Sequence, residues 1–355
     1  MTGGLVLSGI FCVSFALMAA RSPAQPASGA VAPGTGAPQT TEQTPVPRFR
    51  SSVEVVSVAA VVRDRRGRLV KDLEKKDFEI VEAGERRPII DFRAEVNGPV
   101  KVAVLLDISG SMRVGQRTDD ARQAASHIFS SLAGKDQAAV FTFDTALAQA
   151  QSFTSSRQKL EDAIESAEKP FGQTSLYDAI ARTARTVAVA SASGPKGIPQ
   201  RSAVVVITDG IDTKSNLKPA DVSVVASSID VPVYIVAVMA TVDDPRETNH
   251  ERSVAVASDL QELARGTGGE LFIASAPAHA SVAARQMVSE LRHQYVLAFK
   301  ASSHAGWRPL EVRTRQGSLI VRARTGYSGV ARSSSEEAAP AAKSRTSQRP
   351  AYIGR

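Results

Sequence analysis

Cysteine is almost missing from this chain. Cys12 is the one thiol in 355 residues, and it lies inside an apolar run near the start, so a chain cut after that run has neither disulfide nor thiol chemistry. Phe11, just before it, is too bulky for a lipoprotein cleavage site. Histidine is sparse as well: His127, His250, His279, His293 and His304 form no H-E-x-x-H pair, which removes the zinc-hydrolase pattern. No G-x-x-x-x-G-K-[ST] and no G-x-G-x-x-G occurs, so the loops that cradle nucleotide phosphates are absent. Neither Ser109 nor Ser111 sits in G-x-S-x-G, the turn that exposes a nucleophilic serine. No aromatic residues interleave with the Arg-rich runs at Arg63 to Arg68 and Arg313 to Arg324. Those runs alternate with apolar residues and read as solvated strand faces, not as a nucleic-acid surface, despite a net charge of +7.

What is present is an ordinary globular composition, 43% hydrophobic and 22% charged, long enough for about two domains. Leu5 to Ala20 is apolar and uncharged, the length of a secretory h-region and short for a membrane span. Ser22-Pro23-Ala24 supplies small residues before a cut, although no Lys or Arg precedes the run. The expectation is a signal peptide over residues 1–24 and an exported protein, periplasmic or extracellular, with an uncleaved membrane anchor as the alternative. Residues 25–50, rich in Pro, Ala, Gly, Thr and Gln, read as a disordered linker, and 331–355 as a disordered tail.

The chemistry gathers at Val102 to Met112, VAVLLDISGSM. Five apolar residues from Val102 to Leu106 suit a strand covered on both faces at the centre of a parallel sheet. It runs straight into Asp107, Ser109 and Ser111, three oxygen-bearing side chains at alternate positions, with Gly110 expected to let the backbone turn tightly. Such residues at a strand end more often form turns or helix caps. Here, though, two later stretches repeat the type: Gly172-Gln173-Thr174-Ser175 opens a helix, and Thr208-Asp209-Gly210 follows the apolar strand Ala203 to Ile207.

Asp107-x-Ser109-x-Ser111, with Thr174 and Asp209 following in that order, resembles the metal-ion-dependent adhesion site of von Willebrand factor type A (VWA) domains. The flanks resemble a bacterial family of exported VWFA-related proteins. The resemblance implies that Asp107, Ser109, Ser111, Thr174 and Asp209 hold Mg²⁺, or Mn²⁺ or Ca²⁺, directly or through water. It also implies that a protein partner binds by lending an Asp or Glu carboxylate to the metal. Hard oxygen ligands suit such an ion, which keeps several waters that a carboxylate can replace. Asp178 is expected to cap or pack its helix, and Asp212 to be a loop charge. Asp243, Asp244, Glu247, His250 and Glu251 read as a solvated loop, with Ca²⁺ binding as the less favoured alternative.

Strand and helix patterns alternate across residues 99–292, arguing an α/β, doubly wound, mostly parallel sheet for the VWA segment. The helix after the first strand is expected from about Thr118 to Leu132, with Thr118 or Asp119 as its cap. Residues 51–98 and 293–330 read as antiparallel β regions flanking it, forming either one β-sandwich or two separate extensions. The function this supports is a metal-dependent protein-binding module for adhesion or scaffolding, and not an enzyme. One alternative is a structural envelope protein with a degenerate metal site that binds through its β regions. The other is a haloacid-dehalogenase-type phosphatase, which would place a second Asp where this chain has Ser109 and so lacks its proton shuttle.

Overall fold

The computed structural model describes residues 54–94, 98–168, 170–192, 200–238 and 250–329. The leader, linker and tail expected at the two ends lie outside those residues. The chain opens with four strands, β1 (Val55–Arg63), β2 (Phe78–Glu82), β3 (Glu85–Arg87) and β4 (Ile89–Ala94). An alternating segment follows: β5 (Val100–Asp107), α1 (Arg117–Ser131), β6 (Gln137–Phe143), β7 (Leu147–Thr154), α2 (Arg157–Glu165), α3 (Leu176–Ala192), β8 (Arg201–Thr208), α4 (Pro219–Ser228), β9 (Val233–Ala237), α5 (His250–Gly266), β10 (Leu271–Ile273) and α6 (Pro277–Arg292). The chain then returns to strands, β11 (Tyr295–Lys300), β12 (Gly306–Thr314), β13 (Ile320–Ala323) and β14 (Gly326–Gly329).

The alternating segment builds a six-stranded sheet in the order β10-β9-β8-β5-β6-β7, parallel except for the antiparallel edge strand β7. β5 is central because its apolar run leaves no polar face. Val100, Val102, Val104 and Leu106 pack under α1, α2 and α6, while Ala103 and Leu105 pack under α3, α4 and α5. From β5 the chain crosses to β6 on one side and later to β8 on the other. Their diverging carboxyl ends leave the crevice where ligands collect in open α/β sheets.

The flanking β segments are not separate extensions. β1 lies between β11 and β13, and β12 pairs with β2, so strands from before and after the α/β segment share both small sheets, β13-β1-β11-β4 and β14-β12-β2-β3. One apolar core joins them, with Val58, Phe78, Ile80, Tyr295, Leu297 and Phe299 at its centre. Arginines tie this layer pair to the amino ends of the parallel strands. Buried Glu290 of α6 accepts from Arg63 of β1, from Arg322 of β13 and, at 3.0 Å, from the Tyr234 hydroxyl of β9. The carboxyl ends are thereby left to the site. Among the described residues no helix is long and apolar enough to cross a membrane.

Candidate functional site

β5 ends on Asp107, which is 2% exposed. Its Oδ1 accepts from the Ser109 backbone N–H at 2.9 Å, and its Oδ2 accepts from the Thr208 hydroxyl at 2.6 Å. The first bond folds the loop back on the strand end, and the second pins the carboxylate to neighbouring β8. Ser109 and Ser111 are brought together with their hydroxyl oxygens 3.1 Å apart, as the backbone tightens into a single helical turn over Gly110–Arg113.

Gly110 serves a different purpose from the tight turn expected of it. Its φ is not positive; its N–H donates to the Gly172 carbonyl at 3.0 Å, and a Cβ there would lie 2.9 Å from that same oxygen. Glycine is needed because two backbones touch. That contact docks the threonine loop, and Phe171 N–H bonding to the Ile108 carbonyl at 2.9 Å repeats it. Thr174, 2% exposed, is fixed from the third loop: its N–H donates to the Thr213 hydroxyl, and its carbonyl accepts from the Thr213 and Lys214 N–H groups. Asp209 is 6% exposed, with Oδ1 accepting from Ile211 N–H at 3.1 Å. Gly210 follows at φ +82°, a conformation that side chains resist.

The three loops therefore meet at the carboxyl ends of β5 and β8; Asp107, Ser109, Ser111 and Asp209 lie close to one another there, and the backbone of Thr174 is bonded to the loop after β8. Burial pushes the Asp107 carboxyl up to about 7, against the bonds from Ser109 and Thr208, and the charge of Asp209 adds to the rise. A buried carboxylate with a second one beside it is a place that favours a cation. Among the described residues no group of three or more His, Cys, Asp and Glu side chains gathers for a metal. This donor set is of another kind, two carboxylates and three neutral hydroxyls, and all-oxygen ligands fit a hard divalent ion.

Two participants escaped the sequence reading. Thr208, the last residue of β8, orients Asp107 through its hydroxyl, itself held by Gly210 N–H at 2.9 Å. Arg117, the first residue of α1, places Nη1 3.0 Å from Asp209 Oδ2 and 3.3 Å from the Ser111 carbonyl. The expected caps of α1 fail with it: the helix begins at Arg117, one residue earlier than expected, with Gln116 in the cap position, and the Thr118 hydroxyl donates to the Met112 carbonyl. Asp212 is more than a loop charge, since it accepts from Leu176 N–H at 2.8 Å and from the Ser215 hydroxyl, joining the start of α3 to the loop after β8. Asp178 accepts from the Asn216 and Leu217 N–H groups and braces the same loop from α3. Of the acidic stretch, Asp243, Asp244 and Glu247 lie outside the described residues, while His250 and Glu251 begin α5.

Residues 102–211 match the family model of the von Willebrand factor type A domain. The chain thus carries a VWA domain, and domains of this kind are as a rule binding modules and not catalysts. No curated protein matches the chain. Solved structures that resemble it include an aerotolerance-related membrane protein from Bacteroides fragilis and the protein BatB from Bacteroides thetaiotaomicron. Each is 21% identical over 54% of this chain and 98% of that one, with a TM-score of 0.41. A von Willebrand factor type A protein from Catenulispora acidiphila is 12% identical over 79% of this chain and 76% of its own, with a TM-score of 0.43.

Proposed function

We propose that this chain is an exported binding module that captures a protein partner through a divalent cation, Mg²⁺ or Mn²⁺, held by Asp107, Ser109, Ser111, Thr174 and Asp209. When bound, the cation supplies a coordination position at which water can be exchanged for a partner's Asp or Glu carboxylate. The residues do the rest. Asp107 and Asp209 supply the negative charge, Thr208 and the Ser109 N–H fix the orientation of Asp107, and the Gly110–Gly172 contact holds Thr174 in place. The observation that carries this reading is that three loops bearing Asp107, Ser109, Ser111, Thr174 and Asp209 are hydrogen-bonded to one another at the carboxyl ends of β5 and β8, with all but Ser111 buried. Beside it Phe171, on a loop bonded to Ile108, is 76% exposed. Aromatic residues, phenylalanine among them, are enriched at protein interfaces relative to the rest of the surface.

The test is recovery of bound proteins from envelope extract with the mature chain as bait, with and without chelator. Capture lost on chelation and restored by Mg²⁺ supports the reading. Capture unaffected by chelator, and by Thr174→Ala, would transfer recognition to the β regions. Export has its own check: N-terminal sequencing of the protein recovered outside the cytoplasm should begin near Gln25, and Met1 retained in a membrane fraction would favour an anchor.

A further inference from the structure

Arg117 stands at the start of α1, where a cation is least welcome, because the unpaired N–H groups of a helix's first turn form the positive end of its dipole. Asp119 and Asp120 in that turn carry the sign the position favours. The arginine is nonetheless turned inward and is 9% exposed, with Nη1 on Asp209 Oδ2 and on the Ser111 carbonyl. A buried charge needs a partner to repay its lost hydration. Its contacts with Asp209 and the Ser111 carbonyl turn this guanidinium inward against the preference of the helix.

We infer that Arg117 is the resident counter-ion of the site: it occupies Asp209 until a divalent cation takes that carboxylate over, and it then biases the loaded site toward anionic partners. This rests on the reading of the five oxygen residues as metal ligands. The charges give the argument its direction. Asp107 and Asp209 contribute two negative charges, Arg117 one positive and the cation two positive, so the loaded site carries one positive charge in excess. Without Arg117 the same set would be neutral. Arg117 thus lowers the affinity for the cation and raises the affinity of the loaded site for a carboxylate. The two effects have opposite signs, which a merely structural arginine would not produce.

The test uses the mature chain as wild type, Arg117→Gln and Arg117→Lys. Free Mn²⁺ is followed by electron paramagnetic resonance, and acetate binding at saturating Mn²⁺ by water-proton relaxation. Arg117→Gln should bind Mn²⁺ about tenfold more tightly and acetate about tenfold more weakly, with Arg117→Lys close to wild type in both. In wild type, arginine side-chain NMR should show one resonance, absent from the Lys variant, that moves as Mg²⁺ is added; this holds even if the Gln variant does not fold. Equal Mn²⁺ affinity in wild type and Arg117→Gln, or an Arg117 resonance indifferent to Mg²⁺ in a protein that binds it, overturns the inference and leaves the metal reading intact. Absence of uptake by every variant overturns both.

Discussion

Chelated protein should lose stability as the pH rises, and Asp107 sets by how much. Burial lifts its carboxyl from an ordinary 3.8 to about 7 in the folded chain, with Asp209 adding to the rise. The unfolded chain keeps the ordinary value, so between the two the folded state holds a proton that the unfolded state has released. A raised carboxyl therefore contributes stability that is complete below about pH 4 and is lost as the pH climbs through about 7. The gap between 3.8 and about 7 corresponds to about 4 kcal/mol in all. Roughly 2–3 kcal/mol of this falls between about pH 5 and about pH 8. Asp107→Asn has no such proton to release. Urea unfolding of both proteins in chelator at the two pH values should show the wild type losing roughly 2–3 kcal/mol more than the variant. Saturating Mg²⁺ should remove that extra loss, because a cation beside the carboxylate stabilises its ionised form. A difference between wild type and variant that stays constant with pH would refute the reasoning, since Asp107 would then be ionised throughout.

Three further outcomes follow from the geometry. Gly110→Ala puts a Cβ 2.9 Å from the Gly172 carbonyl, so the threonine loop must retreat; Mn²⁺ affinity measured by calorimetry should fall by about tenfold or more, equal to 1.4 kcal/mol. Glu290→Ala takes the buried acceptor from Arg63 and the Tyr234 hydroxyl and leaves Arg322 with Glu270 alone of its two carboxylates. It should cost about 3–5 kcal/mol in urea unfolding, with Mn²⁺ uptake unchanged because Glu290 lies at the far end of the strands. Phe171→Ala should weaken partner capture by about thirtyfold or more, roughly the 2 kcal/mol at which a hot spot begins, and leave Mn²⁺ affinity within about twofold by calorimetry, a difference of roughly 0.4 kcal/mol.

The sequence was most legible where one local pattern determines one outcome. An unbroken apolar run requires two covering layers, so Val102 to Leu106 could be placed at the centre of the sheet, and the alternation around it gave the parallel order its basis. The oxygen residues at the strand ends were singled out by their resemblance to the VWA metal site, and the architecture sends the loops that carry them to one side. Pairing between distant strands was not legible: alternation marks β1 and β11 as strands, yet nothing local says that they pair or that β13 lies on the other side of β1. β14 lies within the β region expected over 293–330, but Gly326-Tyr327-Ser328-Gly329 is short and begins and ends on glycine, which leaves no strand pattern of its own. Gly110 was assigned to a turn because its contact with Gly172 spans two loops. Arg117 was missed for the same reason, its partner Asp209 being 92 residues away. A signal was available in the helix itself, an arginine in the first turn ahead of two aspartates, the reverse of what the dipole favours.

The central claim is that five side chains from three loops hold one divalent cation. Crystals of the mature protein soaked in Mn²⁺, with data collected at the manganese absorption edge, test it most directly. The account predicts a single strong anomalous peak among the Ser109 and Ser111 hydroxyls and the Asp107 and Asp209 carboxylates, absent from Asp107→Ala crystals treated alike. A peak elsewhere on the chain, or an Arg117 guanidinium still seated on Asp209 with no anomalous signal in the crevice at saturating Mn²⁺, would contradict it.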